Sequence, residues 1–229
     1  MSLPDFTGEC FIGGRWLKGA GATFTSIAPA DGAVIWKGAE AGVADVEVAI
    51  AAAREAFPAW RRRPIEERIA FVRAFAKLVD ANRAEMAAII SRSTGKPLWD
   101  AATEATAMIG KAELSIKAYN ERTPTKEAVA GAFVARISHH PHGVMAVLGP
   151  FNFPGHLPNG HIMPALIAGN TVIFKPSEQT PEVAEFTVRL WEQAGIPAGV
   201  VNLVQGARAP AEQLVAHDGV DGVLFTGGV

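Results

Sequence analysis

The sequence predicts an α/β fold built on a parallel sheet, and three observations carry that expectation. Between residues 143 and 229, short runs of apolar and β-branched residues alternate with longer stretches of helical period. Each change of period is punctuated by Gly or Pro, as at Gly149-Pro150, Gly169-Asn170, Lys175-Pro176 and Gly195-Ile196-Pro197. Strands and helices that alternate in this way form parallel sheets through right-handed crossovers.

The elements follow in order. The first forty residues set aromatic and β-branched residues between turn signals at Gly13-Gly14, 19–21 and 29–32, which predicts short strands or extended wrapping segments. From Asp45 the period changes, and Val46, Ile50, Ala53 and Phe57 share a helical face. Pro64 suits a first helical turn, and Ile65, Ile69, Val72, Phe75 and Val79 mark the next helix. Further helices are expected over 85–93 and 98–119, parted by Thr94-Gly95-Lys96-Pro97. A polar stretch, 120–126, closes this block, and 132–140 alternates like one strand of a protruding hairpin. Strands are then expected at Val144–Leu148, 171–174, 200–204 and 222–226. The intervening helices end near Gly169 or cover 182–194 and 211–217, the second with Thr180 as N-cap and Pro181 at its first position. The expected division is 1–122 for wrapping strands and helices, 123–142 for the hairpin and 143–229 for the parallel core. Ligands of open parallel sheets sit beyond the strands' carboxyl ends, which puts 149–152, 175–178, 205–206 and 226–229 on one rim.

At 229 residues and 49% hydrophobic content, the chain is long enough to bury a core. Its 21 basic and 23 acidic side chains leave a formal charge of -2, so no overall field draws it to nucleic acid or anionic lipid. Arg61, Arg62 and Arg63 form the one dense basic run; with no aromatics interleaved, they read as a solvated face at a helix start. The single cysteine, Cys10, excludes an internal disulfide and fits a reducing compartment. Asp5 and Glu9 argue against a signal peptide, and no window approaches the ~18 apolar residues of a spanning helix. A cytoplasmic protein that binds neither membrane nor nucleic acid is expected.

The two commonest nucleotide motifs, Gly-x-Gly-x-x-Gly and Gly-x-x-x-x-Gly-Lys, are absent. Lys175-Pro176-Ser177-Glu178 instead offers a cation and a carboxylate at a strand end. A carboxylate there accepts from a ribose diol and repels a 2′-phosphate; an ordinary strand-exit pair is the alternative. Gly149-Pro150-Phe151-Asn152-Phe153-Pro154 holds an amide between two prolines, where its NH₂ could donate to an oxyanion or merely bond its own turn. His139, His140 and His142, with His156 and His161 beyond them, lack a carboxylate or thiol pattern, so no metal is expected. Cys10 reads as an ordinary small side chain far from the rim.

Together these segments resemble the aldehyde dehydrogenase superfamily, collinearly over nearly the whole chain. The resemblance is carried by 11–16 (FIGGRW), 49–60 (AIAAAREAFPAW), 93–97 (STGKP), 149–154 (GPFNFP), 168–171 (AGNT), 175–181 (KPSEQTP), 194–201 (AGIPAGVV) and 225–227 (FTG). It implies a Rossmann-like cofactor domain with a small oligomerisation hairpin, a homo-oligomer (dimer or tetramer), and NAD acting on a small-molecule aldehyde. Asn152 would be the side-chain half of the oxyanion hole. Lys175 and Glu178 would hold the adenine ribose, Gly206 would lie against the adenine, and Phe225, Thr226 and Gly227 would begin the loop that meets the pyrophosphate. Leu148, Pro150, Phe151 and Ser177 would complete the cofactor site. Gly228 stands where the family usually has Ser, leaving that contact to backbone N–H groups.

An aldehyde gives up hydride only after a nucleophile has added; in this family a cysteine thiolate adds and a glutamate acts as general base. Both would lie beyond the motif at which the chain stops. The sequence is therefore read as incomplete, without the catalytic domain and inactive alone. A finer resemblance, over 153–162 (FPGHLPNGHI) and 107–119 (AMIGKAELSIKAY), is to the branch that oxidises N-succinylglutamate 5-semialdehyde in arginine degradation. It implies a polyanionic substrate, with Lys111, Phe153, His156, Leu157, Gly160 and His161 as substrate-site candidates. The same residues would also serve a non-catalytic nucleotide-binding fragment, an acylating or reductive relative, or a different semialdehyde branch.

Overall fold

The computed structural model describes residues 4–227. Four short strands come first: β1 (Cys10–Ile12), β2 (Arg15–Leu17), β3 (Thr23–Ile27) and β4 (Val34–Ala39). Four helices follow: α1 (Val43–Arg62), α2 (Ile65–Ala81), α3 (Arg83–Thr94) and α4 (Leu98–Arg122). The hairpin β5 (Lys126–Ala130) and β6 (Phe133–Ile137) leads to the alternating part. That part comprises β7 (Val144–Leu148), α5 (His156–Ala168), β8 (Thr171–Lys175), α6 (Pro181–Gln193), β9 (Val201–Leu203), α7 (Arg208–Ala216) and β10 (Gly222–Phe225).

The main sheet runs β10-β7-β8-β9-β1-β2. The β10-β7, β7-β8 and β8-β9 pairs are parallel, as expected, whereas β1 joins β9 and β2 antiparallel. The sheet is therefore mixed. Both faces of its centre are covered, so β7 and β8 are buried at every position, β7 as an unbroken apolar run and β8 with an apolar centre, Val172 to Phe174. Side chains alternate across it: Val144, Ala146 and Leu148 join the core that includes Val46, Ile50 and Leu214, from α1 and α7. Met145 and Val147 join the larger core on the other face, built from α2 to α6. There Phe75 stacks on Trp191 with ring centroids 3.9 Å apart. At the far side of the sheet, β10 is bonded to β7 along one edge, and among the described residues its other edge pairs with no strand.

Three local expectations are corrected. Residues 126–130 form a strand, β5, that starts at the last residue of what read as a polar stretch, and β6 ends at Ile137, leaving the histidines at 139, 140 and 142 outside the hairpin. Thr180 stands at the N-cap of α6 and Pro181 at its first position, as read, but the buried Thr180 hydroxyl makes no capping bond. The arginines at 61–63 close α1, where cations complement the carboxyl end of the helix dipole. No described helix is long and apolar enough to cross a membrane.

Candidate active site

From β7 the chain winds outward to β8 and β9 on one side and returns to β10 on the other. The strand order therefore switches between β7 and β10, the place where open α/β sheets leave a crevice at the strands' carboxyl ends. A cleft of about 620 Å³ occupies that place. Leu148, Pro150, Phe151 and Asn152 line it from β7, Lys175, Ser177 and Glu178 from β8, and Phe225, Thr226 and Gly227 from β10. Three separated segments are thereby brought together. Two cross-strand bonds hold the rim, Gly149 N–H to the Lys175 carbonyl (3.0 Å) and Thr226 N–H to the Leu148 carbonyl (3.1 Å).

Lys175 is buried at the end of β8, and its Nζ donates to the Gly206 and Ala207 carbonyls at 2.9 and 3.0 Å. Burial pulls its pKa below the usual lysine range, with Glu178 and Glu40 opposing the shift. The Glu178 carboxylate, 3.9 Å from Nζ, is half exposed at the rim. Gly206 does not line the cleft. It sits behind Lys175 with a φ of +139°, and a Cβ there would fall 2.5 Å from Cγ of Glu40, so close packing requires glycine. Gly228 lies outside the described residues.

Asn152 is exposed on the loop between β7 and α5. That loop is gripped from α4 and from the break that precedes it. Lys96 Nζ donates to the Asn152 main-chain carbonyl at 2.9 Å and lies 4.0 Å from the Phe153 ring centre. The same ammonium pairs with Glu104 at 2.7 Å. Sequence reasoning missed this pair because the two residues sit on separate elements and meet only in the fold.

The substrate-site candidates divide. Leu157 lines the cleft, and His161 Nε2 lies 2.8 Å from the hydroxyl of Thr226, a cleft residue. His156 and Gly160 face α4 instead, where Lys111 Nζ stands 3.4 Å from the position a Gly160 Cβ would take. Burial and then the Lys111 charge depress the pKa of both His156 and His161, so both rings favour the neutral form. Phe153 is partly exposed beside Lys96 and His156. A second cavity, about 450 Å³, shares Glu178 and Gln179 with the cleft and reaches Ser26, Glu40 and Ser93; the sequence carried no local signal for it.

Cys10 is 1% exposed on β1, and its sulfur accepts the Gln205 N–H at 3.4 Å. Burial pushes its thiol up to about 11, so at neutral pH it holds its proton and is a poor nucleophile.

The aldehyde dehydrogenase family model matches residues 16–229. The chain belongs to the aldehyde dehydrogenase family. This aldehyde dehydrogenase sequence is 54% identical over 217 residues to N-succinylglutamate 5-semialdehyde dehydrogenase of Chromobacterium violaceum, covering 95% of the chain and 45% of that protein. With the protein of the same name from Escherichia coli it shares 55% identity, over 95% of the chain and 44% of the relative. Among solved structures, PnpE in complex with nicotinamide adenine dinucleotide superposes with a TM-score of 0.90 at 32% identity, over 95% of this chain and 45% of that one. The chain thus spans less than half the length of the curated relatives it matches.

Proposed function

We propose that this chain is the cofactor-binding, oxyanion-donating part of a cytoplasmic NAD-dependent enzyme. Its substrate is N-succinylglutamate 5-semialdehyde, oxidised to the carboxylic acid in arginine breakdown. The observation that carries the reading is the single cleft shared by Asn152, Lys175 and Glu178 at the switch in strand order. The residues suit a dinucleotide: Glu178 supplies acceptors for a ribose diol, Lys175 a donor beside it, and the glycine-bearing loops after β7 and β10 give backbone room for a pyrophosphate. When bound, NAD supplies the hydride acceptor. Asn152, at the inner loop, supplies an N–H donor toward the carbonyl oxygen as charge grows on it. The names of the relatives support the substrate, and so does the α4-α5 edge, where Lys111 has no carboxylate partner among the described residues. Alone, the chain is proposed to be inactive, since its one thiol is the buried Cys10. The exposed Val129, Phe133, Val134 and Ile137 of the hairpin suit a homo-oligomeric contact.

The cofactor reading is tested on the chain itself by calorimetric titration with NAD and NADP. NAD is expected to bind more tightly, and Glu178→Gln to narrow the difference, because a carboxylate at the ribose repels a 2′-phosphate. Equal affinities in the unaltered chain would sink the assignment of Glu178. The substrate reading needs a catalytic half, supplied by joining this chain to the remaining C-terminal part of the Escherichia coli relative. In that fusion, Lys111→Met is expected to raise KM for the succinylated semialdehyde by about tenfold, the scale of one lost charge contact at ~1.4 kcal/mol. Propanal, which carries no charge, is the control; a matching loss with propanal removes Lys111 from substrate recognition.

A further inference from the structure

The loop that carries Asn152 is held at both ends by one carboxylate. Glu104 is buried within α4, with its side chain fully shielded. Its Oε1 accepts the main-chain N–H groups of Gly155 (2.9 Å) and His156 (3.1 Å), which open α5. Those amides are orphans of a helix start, and Gly155 offers no side chain to cap them. The other oxygen, Oε2, binds Lys96 Nζ at 2.7 Å, and that ammonium reaches the Asn152 carbonyl at 2.9 Å. The carboxylate thus grips the loop directly at 155 and 156 and, through Lys96, at 152. Lys96 also faces the Phe153 ring at 4.0 Å and Asp100 at 3.9 Å, so the ammonium is enclosed by groups that favour it.

The geometry points to Glu104 and Lys96 as positioning residues for the Asn152 amide, a role that rests on the oxyanion reading above. An oxyanion donor works only if its place is set before charge develops. Asn152 is exposed, and its loop lies between two prolines that lack N–H groups to anchor it. The ion pair supplies the missing anchors. Lys96 belongs to the break between α3 and α4, and Glu104 to the second turn of α4, so the latch closes across the helix junction.

Two measurements test it. The first, amide hydrogen exchange on this chain, is independent of function. Glu104→Ala is expected to speed exchange at Gly155 and His156 by about tenfold or more, while the amides of β7 and β8 keep their protection. Glu104→Gln, which keeps an acceptor oxygen, is expected to restore most of that protection. Unchanged exchange at 155 and 156, or equal acceleration throughout the chain, overturns the latch. The second uses turnover in the fusion with the Escherichia coli C-terminal part. Glu104→Gln is expected to lower kcat about tenfold with KM for NAD little changed, and to add almost nothing when Asn152 is already alanine. If the two losses multiply, Glu104 does not act through Asn152. Should the unaltered fusion fold yet fail to reduce NAD, the functional reading falls while the exchange result still decides the latch.

Discussion

Asn152→Ala is expected to lower kcat of the fused enzyme by about a hundred- to a thousandfold, with NAD affinity close to that of the parent. The split follows from where the residue sits. Lys175 and Glu178 line the cleft from the loop after β8, whereas Asn152 lines it from the separate loop after β7. An amide donor there has little to bond in the resting aldehyde, whose carbonyl is a weak acceptor. It gains strength as the oxygen becomes anionic, so its loss falls on the barrier rather than on binding. Steady-state rates give kcat, and a separate titration gives the NAD affinity. A variant that turned over normally but bound NAD tenfold more weakly would move Asn152 into the cofactor site and leave the oxyanion without its side-chain donor.

The largest loss of stability is expected from Glu185→Ala, by about 3–5 kcal/mol. Glu185 lies fully buried on α6 and collects donors from three directions. Oε1 accepts the Thr7 N–H at 2.7 Å and pairs with Arg189 at 2.6 Å, while Oε2 accepts the Trp36 ring N–H at 2.8 Å and the Gly8 N–H at 3.2 Å. Alanine would leave two main-chain N–H groups and an indole N–H without acceptors, and Arg189 without its partner. It would also release residues 7 and 8 and β4 from α6. Against a typical total of about 5–15 kcal/mol, that is a major fraction, readable from urea unfolding midpoints. Arg73→Ala is the contrasting control. Its bidentate bond to Glu113 has better geometry but lies in solvent, where screening and side-chain freedom absorb the gain. If the two variants unfolded at the same midpoint, the view of Glu185 as a buried junction would be wrong.

The parallel part of the fold was legible because each boundary there carries its own marker. Gly169 takes a left-handed φ of +96° at the end of α5, and Pro181 opens α6, so the signals are local and survive folding unchanged. The antiparallel return of β1 was not legible. It rests on Phe11 pairing with Leu203, nearly the whole chain away, and no three-residue segment announces such a partner. β5 was hidden for a different reason: residues 126–129 are all exposed on the hairpin, so no buried face there imposes an alternating pattern. The cleft followed the same division. Its walls are strand ends, whose motifs are contiguous, so Lys175, Glu178 and Asn152 could be named from sequence and are found on one cavity. The grip of Lys96 and Glu104 on the Asn152 loop, and the packing of Gly206 against Glu40, join segments remote in sequence and had to be seen in three dimensions.

The outer edge of β10 bears on how this chain behaves in a tube. Its backbone N–H and C=O groups on that side pair with no strand among the described residues, and Val223 and Phe225 stand 39% and 59% exposed along it. An apolar strand with a free edge is a template, and in a concentrated solution the nearest strand to add is another copy's β10. Stock concentration therefore belongs among the variables of every binding experiment on this chain, since molecules stacked edge to edge would bury the Phe225 and Thr226 wall of the cleft between them.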